Sequence, residues 1–264
     1  NGSGQFFDTG RVLGTNNSAL GVVGDVDGNG TLDVIYRNII GPNNGVEVWL
    51  NDGHGNFTRS SENFGTNSIS NLALVDLDGD GSLDLIISGA TELRVFLNDG
   101  AGHFTENPAS VASLTFNNSA VGRILTADLN GDGAMDLVLQ DIVVSRPARV
   151  LLNDGHGILS DTGQRFGGGG SAAALADLNG DGLPDLFMPV ANGSYVWLND
   201  GTGFFTDSGN VYPNLIARDV KLADVNGDGT LDAIVINTTS GFPQTNRSTI
   251  YLNDGAGNFT DSHT

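Results

Sequence analysis

Cysteine is missing altogether, which excludes disulfides and thiolate metal sites while leaving the compartment open. Positive charge is nearly as scarce: 11 lysine and arginine residues stand against 31 acids, for a formal net charge of −20. Nucleic acid and anionic membranes demand basic surface, so neither is expected as a partner. No apolar run approaches the ~20 residues that a membrane helix needs, so no membrane insertion is expected. The opening NGSGQFF has neither the basic nor the apolar segment of a signal peptide, so any such signal is expected to have been removed. Leucine–alanine–glutamate helical runs are missing as well. Glycine, by contrast, occurs 39 times, and short β-branched segments lie between the glycines. This is an all-β composition.

The acids are concentrated. DVDGNGTLD (25–33), DLDGDGSLD (76–84), DLNGDGAMD (128–136), DLNGDGLPD (177–185) and DVNGDGTLD (224–232) hold 16 aspartates, about half of all the acidic residues. Their first residues are 51, 52, 49 and 47 positions apart. A second motif keeps the same beat: VEVWLNDGHGNFT (46–58), LRVFLNDGAGHFT (93–105), ARVLLNDGHGILS (148–160), SYVWLNDGTGFFT (194–206) and TIYLNDGAGNFT (249–260). A fixed period in this range means a repeat architecture.

Each unit reads as four short strands. The second is the clearest: NLALVD (71–76), SLDLIIS (82–88), LRVFLN (93–98) and HFTEN (103–107). Asn-Asp-Gly between the third and fourth strands is hairpin chemistry, because these residues tolerate positive φ. Second strands such as LDLIIS and LDAIVI are apolar on both faces, as a sheet sandwiched between neighbours requires. The expected fold is a β-propeller of four-stranded blades in one domain, 1–264, with units at approximately 7–58, 59–105, 106–159, 160–205 and 206–260. Five blades are favoured, and a segment of a larger propeller or array is the other arrangement. NGSGQF (1–6) matches DGAGNF (254–259), which gives two candidates for one outermost strand.

The nine-residue loops have a grammar of oxygen donors. Position 1 is Asp25, Asp76, Asp128, Asp177 or Asp224; position 9 is Asp33, Asp84, Asp136, Asp185 or Asp232. Position 3 is Asp27, Asp78, Asn130, Asn179 or Asn226, and position 5 is Asn29, Asp80, Asp132, Asp181 or Asp228. Hard cations such as Ca²⁺ want about six to eight oxygens. Position 7 (Thr31, Ser82, Ala134, Leu183, Thr230) is indifferent to residue type, so it is expected to ligate through its backbone carbonyl. Glycine at positions 4 and 6 lets the chain curl with positive φ. An EF-hand is excluded, since twelve residues from Asp25 and Asp76 stand Tyr36 and Ile87 and the flanks are strands. Magnesium is disfavoured because it keeps its waters. The expected cofactor is Ca²⁺, about one per repeat and up to five, with Asn29 marking the first loop as weaker.

These loops, each followed by a strand and NDGxGxF, resemble the FG-GAP/VCBS repeat of integrin α-subunit propellers and of the fungal lectin family typified by the Psathyrella velutina lectin. The resemblance spans the chain and implies a calcium-bearing β-propeller with ions between first and second strands. It also implies a secreted lectin with glycan pockets between blades, or a protein-binding adhesion module of a larger extracellular protein. Glycans are thus the expected partner and a protein ligand the alternative, in an extracellular or cell-surface setting.

No enzyme is expected. His54, His103 and His156 recur in or beside the hairpin turns and His263 lies near the C-terminus, positions suited to solvated polar residues. Lys221, the sole lysine, is expected to balance nearby acids. Trp49, Phe96, Leu151, Trp197 and Tyr251 share one position before LND, where blade packing is favoured over sugar stacking. Asp52, Asp99, Asp154, Asp200 and Asp254 shape the hairpins or bind sugar hydroxyls. The sequence assigns no ligand-contacting residue.

Overall fold

The computed structural model describes residues 10, 12–13, 20–38, 45–62, 64–65, 69–89, 92–112, 114, 121–141, 146–167, 170, 172–190, 193–213, 216–238 and 248–262. Among the described residues twenty strands form five separate four-stranded antiparallel sheets, each built from consecutive strands. Blade 1 contains β1 (Gly21–Gly24), β2 (Asp33–Asn38), β3 (Gly45–Asn51) and β4 (Phe57–Arg59). Blade 2 contains β5 (Ile69–Val75), β6 (Asp84–Gly89), β7 (Leu93–Asn98) and β8 (Phe104–Glu106). Blade 3 contains β9 (Val121–Ala127), β10 (Asp136–Asp141), β11 (Ala148–Asn153) and β12 (Leu159–Phe166). Blade 4 contains β13 (Ala174–Ala176), β14 (Asp185–Val190), β15 (Gly193–Asn199) and β16 (Phe205–Tyr212). Blade 5 contains β17 (Ile216–Ala223), β18 (Asp232–Thr238), β19 (Thr249–Asn253) and β20 (Phe259–Asp261). Among the described residues the helical content is one 3₁₀ turn, Pro108–Val111.

The blades are ordered about an axis. β1 packs beside β5, β5 beside β9, β9 beside β13 and β13 beside β17, so the first strand of each blade is innermost. Second strands lie in the middle of their sheets, and β6, β10 and β14 are buried at every residue. That is why DLIISG, DLVLQD and DLFMPV carry apolar side chains on both faces, as a sandwiched sheet demands. The chain is an all-β, five-bladed propeller.

Hydrophobic packing holds neighbouring blades together. Between blades 1 and 2, eleven buried residues interlock, among them Val26, Ile35 and Val48 from one sheet and Leu72, Leu85, Ile87 and Phe96 from the next. The other three joints repeat the pattern with Leu77, Leu129 or Leu178 in the place of Val26. At ~1.5–3 kcal/mol per fully buried aliphatic or aromatic side chain, these sets dominate the adhesion. Phe96, Leu151 and Tyr251 are at most 4% exposed, and Trp197 packs against the same kind of core, so in these four blades the shared position packs a joint; Trp49 is half-buried.

Two outer strands depart from the short fourth strand that the repeat suggests. β12 and β16 each run eight residues across a register shift. Asp161 and Asp207 accept from the N–H of Gly163 and Gly209 two residues on, which builds the irregularity and delivers Phe166 and Tyr212 to the joints.

A polar clamp recurs at each joint. The asparagine of every LND motif after the first donates from Nδ2 to the position-2 carbonyl of the preceding blade: Asn98 to Val26, Asn153 to Leu77, Asn199 to Leu129 and Asn253 to Leu178, at 2.7–2.9 Å. A neutral hydrogen bond contributes only about 0.5–1.5 kcal/mol net, so the clamp fixes the angle between blades more than it supplies adhesion. Its loss is still costly, because a buried carbonyl is left unpaired. Asn98→Ala is expected to lower the unfolding free energy by about 1–3 kcal/mol in urea titration; a loss below ~0.5 kcal/mol would show the clamp to be dispensable.

Candidate metal centre

Each acidic loop joins the first and second strands of its blade. The residue before position 1 pairs with the position-9 aspartate, as Val75 does with Asp84 and Ala127 with Asp136. Inside that closure the loop is knotted by its own side chains. The position-1 carboxylate accepts from the position-6 glycine N–H in all five loops, at 2.8–3.0 Å. In four loops its other oxygen accepts from the position-4 glycine, and in the first from Asn29. The side chain at position 3 accepts from the N–H of position 5, and position 5 from that of position 7, in every copy. The glycines hold φ between +70° and +90°, which other residues reach only with strain.

The position-9 aspartates have a second job that their spacing did not disclose. All five are fully buried. One oxygen accepts from the N–H of position 2, as Asp84 does from Leu77 at 2.8 Å. The other accepts from the N–H of the LND asparagine in the third strand, as Asp84 does from Asn98 at 2.8 Å. A single carboxylate thus clasps loop, second strand and third strand. The signal was present, since Asp at position 9 and Asn in LND both recur in every unit, but nothing in the sequence links them.

Burial raises the pKa of Asp33, Asp84, Asp136 and Asp185, against the lowering pull of those two N–H groups. For Asp84 the value is pushed up to about 6, and neighbouring Asp78 and Asp80 add to the rise. Among the described residues no lysine or arginine forms an ion pair with a loop acid. The charge therefore calls for another partner.

Three loops gather their carboxylates closely enough for one. Asp25, Asp27 and Asp33, then Asp76, Asp78 and Asp84, then Asp177, Asp181 and Asp185 each place an oxygen within 4.8 Å of the others. Oxygens on a common Ca²⁺, each at about 2.3–2.6 Å, lie at most about 5 Å apart, so the spacing of these groups is compatible with one such ion. The loops at Asp128, Asp132 and Asp136 and at Asp224, Asp228 and Asp232 keep the same hydrogen bonds but do not gather three carboxylates to that spacing. The position-3 asparagine donates to the position-5 carboxylate in both, Asn130 to Asp132 and Asn226 to Asp228, as Asn179 does to Asp181 in the loop that does converge. The position-7 side chains of Thr31 and Thr230 donate to the LND asparagine carbonyl.

The NDGxG hairpins sit over these loops. Their aspartates accept from N–H groups two residues on, as Asp99 does from Ala101 and Asp254 from Ala256, so they shape the turn. The second glycine of each hairpin after the first approaches the preceding blade: a Cβ on Gly102 would stand 3.4 Å from Leu50 and 3.5 Å from Asp27, and one on Gly203 2.8 Å from Leu152. Hairpin and neighbouring acidic loop are therefore one structural unit. A groove of about 390 Å³ opens between blades 2 and 3 at this level, bounded by Asp76, Gly79, Asp132, Ala134, Met135 and Asp154. His54, His103 and His156 are exposed on the hairpins, and His263 lies outside the described residues. Lys221 pairs with Asp219 at 3.0 Å, and Arg123 with the same aspartate at 3.0 Å, beside a second cavity of about 440 Å³ on the inner strands.

Fold and loops together define a repeat propeller with an acidic loop between the first and second strands of each blade. Residues 25–87, 76–139 and 177–235, together more than half of the chain, match the FG-GAP-like repeat model; the chain belongs to the FG-GAP-like repeat family. Over 168 residues it is 32% identical to phosphatidylinositol-glycan-specific phospholipase D of Bos taurus, a match covering 49% of this chain and 20% of that protein. Its fold is similar to that of an Agrocybe aegerita lectin described as recognising non-reducing terminal N-acetylglucosamine, with a TM-score of 0.58, 23% identity, and coverage of 91% of this chain and 64% of the lectin. Among the described residues no helix is long and apolar enough to cross a membrane.

Two substitutions separate clasp from cation site. Asp84→Ala is expected to cost about 2 kcal/mol or more even in chelator, because two buried N–H groups lose their acceptor. Asp80→Asn keeps the acceptor for Ser82, as Asn29 does for Thr31, and is expected to change stability in chelator by less than about 0.5 kcal/mol. Equal losses from both in chelator, measured by denaturant titration, would contradict the division.

Proposed function

We propose that the chain is a calcium-stabilised carbohydrate-binding protein, a lectin with several glycan sites between blades. Side chains at positions 1, 3, 5 and 9 of each loop, with the position-7 carbonyl, are the ligands in this reading. The ion supplies charge compensation for buried carboxylates and no catalytic step. The observation that carries the glycan part is the groove between blades 2 and 3, where Asp76, Asp132, Asp154 and glycine backbone share with Leu77, Ala134 and Met135 the lining of a space of about 390 Å³. Such a surface offers acceptors to sugar hydroxyls, and the recurrence of hairpin and acidic loop in every repeat suits weak binding multiplied by avidity. The similarity of fold to a lectin supports the reading. An extracellular or surface location follows from it, because extracellular calcium modules bind at about 10⁻⁴–10⁻³ M.

The second reading is a protein-binding module of a larger extracellular protein. Its support is the match to the phospholipase D, of which the similar segment is only 20%. A glycan array discriminates. Binding to isolated saccharides, lost when Asp132 and Asp154 are both replaced by alanine, is expected of the lectin; silence across a broad array supports the protein ligand instead.

Calcium is tested separately from the glycan. One ion held at a hundredfold excess over its Kd contributes about 2.7 kcal/mol. For a chain of this size that is roughly 5–10 °C in Tm. Chelation is thus expected to lower Tm by at least ~5 °C, with recovery on adding calcium but not magnesium. An unchanged transition in chelator would remove calcium from the account.

A further inference from the structure

The innermost strands of blades 3, 4 and 5 border a cavity of about 440 Å³ that shares no residue with the groove between blades 2 and 3. β9, β13 and β17 are edge strands, each paired on one side only, and they line this space together. Ile124, Leu125, Leu175 and Leu222 supply apolar wall, and the charged residues on its border are Arg123 and Lys221. Two of the chain's 11 basic residues, one of them the sole lysine, thus meet at one cavity of a protein whose net charge is −20.

Blade 4 makes the space. Five residues before the first aspartate of the acidic loop stand Arg123, Ala172 and Asp219 in blades 3, 4 and 5, and three before it stand Leu125, Ala174 and Lys221. Alanine at both positions of blade 4 leaves the gap unfilled, and β13 is three residues long beside seven in β9 and eight in β17. Arg123 meets Asp219 across blade 4 at 3.0 Å, and Lys221 meets the same carboxylate at 3.0 Å. Burial raises the Asp219 pKa, but Lys221 and Arg123 outweigh it and hold the carboxyl below its ordinary range, so two cations share one anion. Arginine and lysine together bring about eight N–H donors, roughly twice what one carboxylate accepts. A further polar group stands beside Arg123. Gln140 is its cross-strand partner, which places their Cβ atoms about 4.5–5.5 Å apart on one face of the sheet. Gln140 is fully buried, yet among the described residues neither end of its amide has a hydrogen-bond partner. An orphaned buried amide is costly, and a bound molecule is one way to satisfy it.

We propose that this cavity binds a small organic acid with one carboxylate and a short apolar body. The carboxylate lies between the Arg123 guanidinium and the Lys221 ammonium, beside Asp219, and its single charge neutralises the one positive charge that two cations and one anion leave. The body lies along Leu125, Leu175 and Leu222. Gln140 gives a donor and an acceptor to an acid that carries a further hydroxyl or amide. Small-molecule pockets run about 300–1,000 Å³, so the space takes such an acid whole. Sulfate or phosphate fits less well, because Asp219 offsets half of the positive charge and the walls are apolar. None of the bordering residues belongs to an acidic loop or a hairpin, so calcium and glycan play no part in this site.

Ligand-observed NMR titration of the full chain with hexanoate tests the site, with hexanamide as the uncharged control. Hexanoate is expected to bind with a Kd of about 1 mM or tighter, and hexanamide about 10-fold more weakly or not at all, because the charge-assisted hydrogen bonds are lost. Lys221→Gln, whose head group is mostly exposed, is expected to keep the fold and to weaken hexanoate binding about 10-fold. Ala174→Leu, which fills the gap, is expected to abolish it; if that variant does not fold, Lys221→Gln decides alone. No saturation up to about 10 mM hexanoate overturns the proposal, as does equal affinity for hexanamide or undiminished affinity in Lys221→Gln. Displacement of hexanoate by an equal concentration of sulfate assigns the site to inorganic dianions and overturns it too.

Discussion

A buried carboxylate at the end of each acidic loop is the constraint on which this structure turns. Removing an ionised aspartate from water costs several kcal/mol, and attraction to its surroundings must return that cost. Asp84 receives two backbone N–H groups, and hydrogen bonds to a charged group contribute about 1.5–3 kcal/mol each. Asp78 and Asp80 stand close by with like charge and push the other way. The N–H groups hold the strands, but they do not neutralise three converging carboxylates. In the proposed reading a divalent cation does both at once, where among the described residues no basic side chain pairs with the loop acids.

The same loop belongs to the joint between blades. Its position-2 side chain is buried under the next sheet, its position-2 carbonyl accepts the next blade's asparagine, and the next hairpin lies against its position 3. Cation site, clamp and groove are thus parts of one repeated unit, and a change in one is felt by the others. Apolar burial supplies most of the adhesion, while the clasp and clamp set the angle at which blades meet. Grooves between hairpins and loops inherit their shape from that angle.

Much of this was legible in the sequence because a repeat states its rule five times. The period, the four-strand unit, the doubly apolar second strands and the oxygen-bearing positions all came from residue types at fixed spacing. The grip of Asp84 on Asn98 was not legible, because it joins two motifs 14 residues apart through backbone N–H groups that any residue carries. The long outer strands depended on Asp161 and Asp207 building an irregularity, a local choice that DTG and DSG signal only once the register is known. Which loops converge was not legible either: Asn130, Asn179 and Asn226 stand at one position and all donate to the position-5 carboxylate, yet of the three loops only that of Asn179 gathers three carboxylates.

The central claim is that divalent cations compensate the buried aspartates. Native mass spectrometry of the chelated protein titrated with calcium tests it most directly. The account predicts at least three bound ions per chain, matching the three loops whose carboxylates converge, and no more than five. A spectrum that stays at the metal-free mass at millimolar calcium would contradict it.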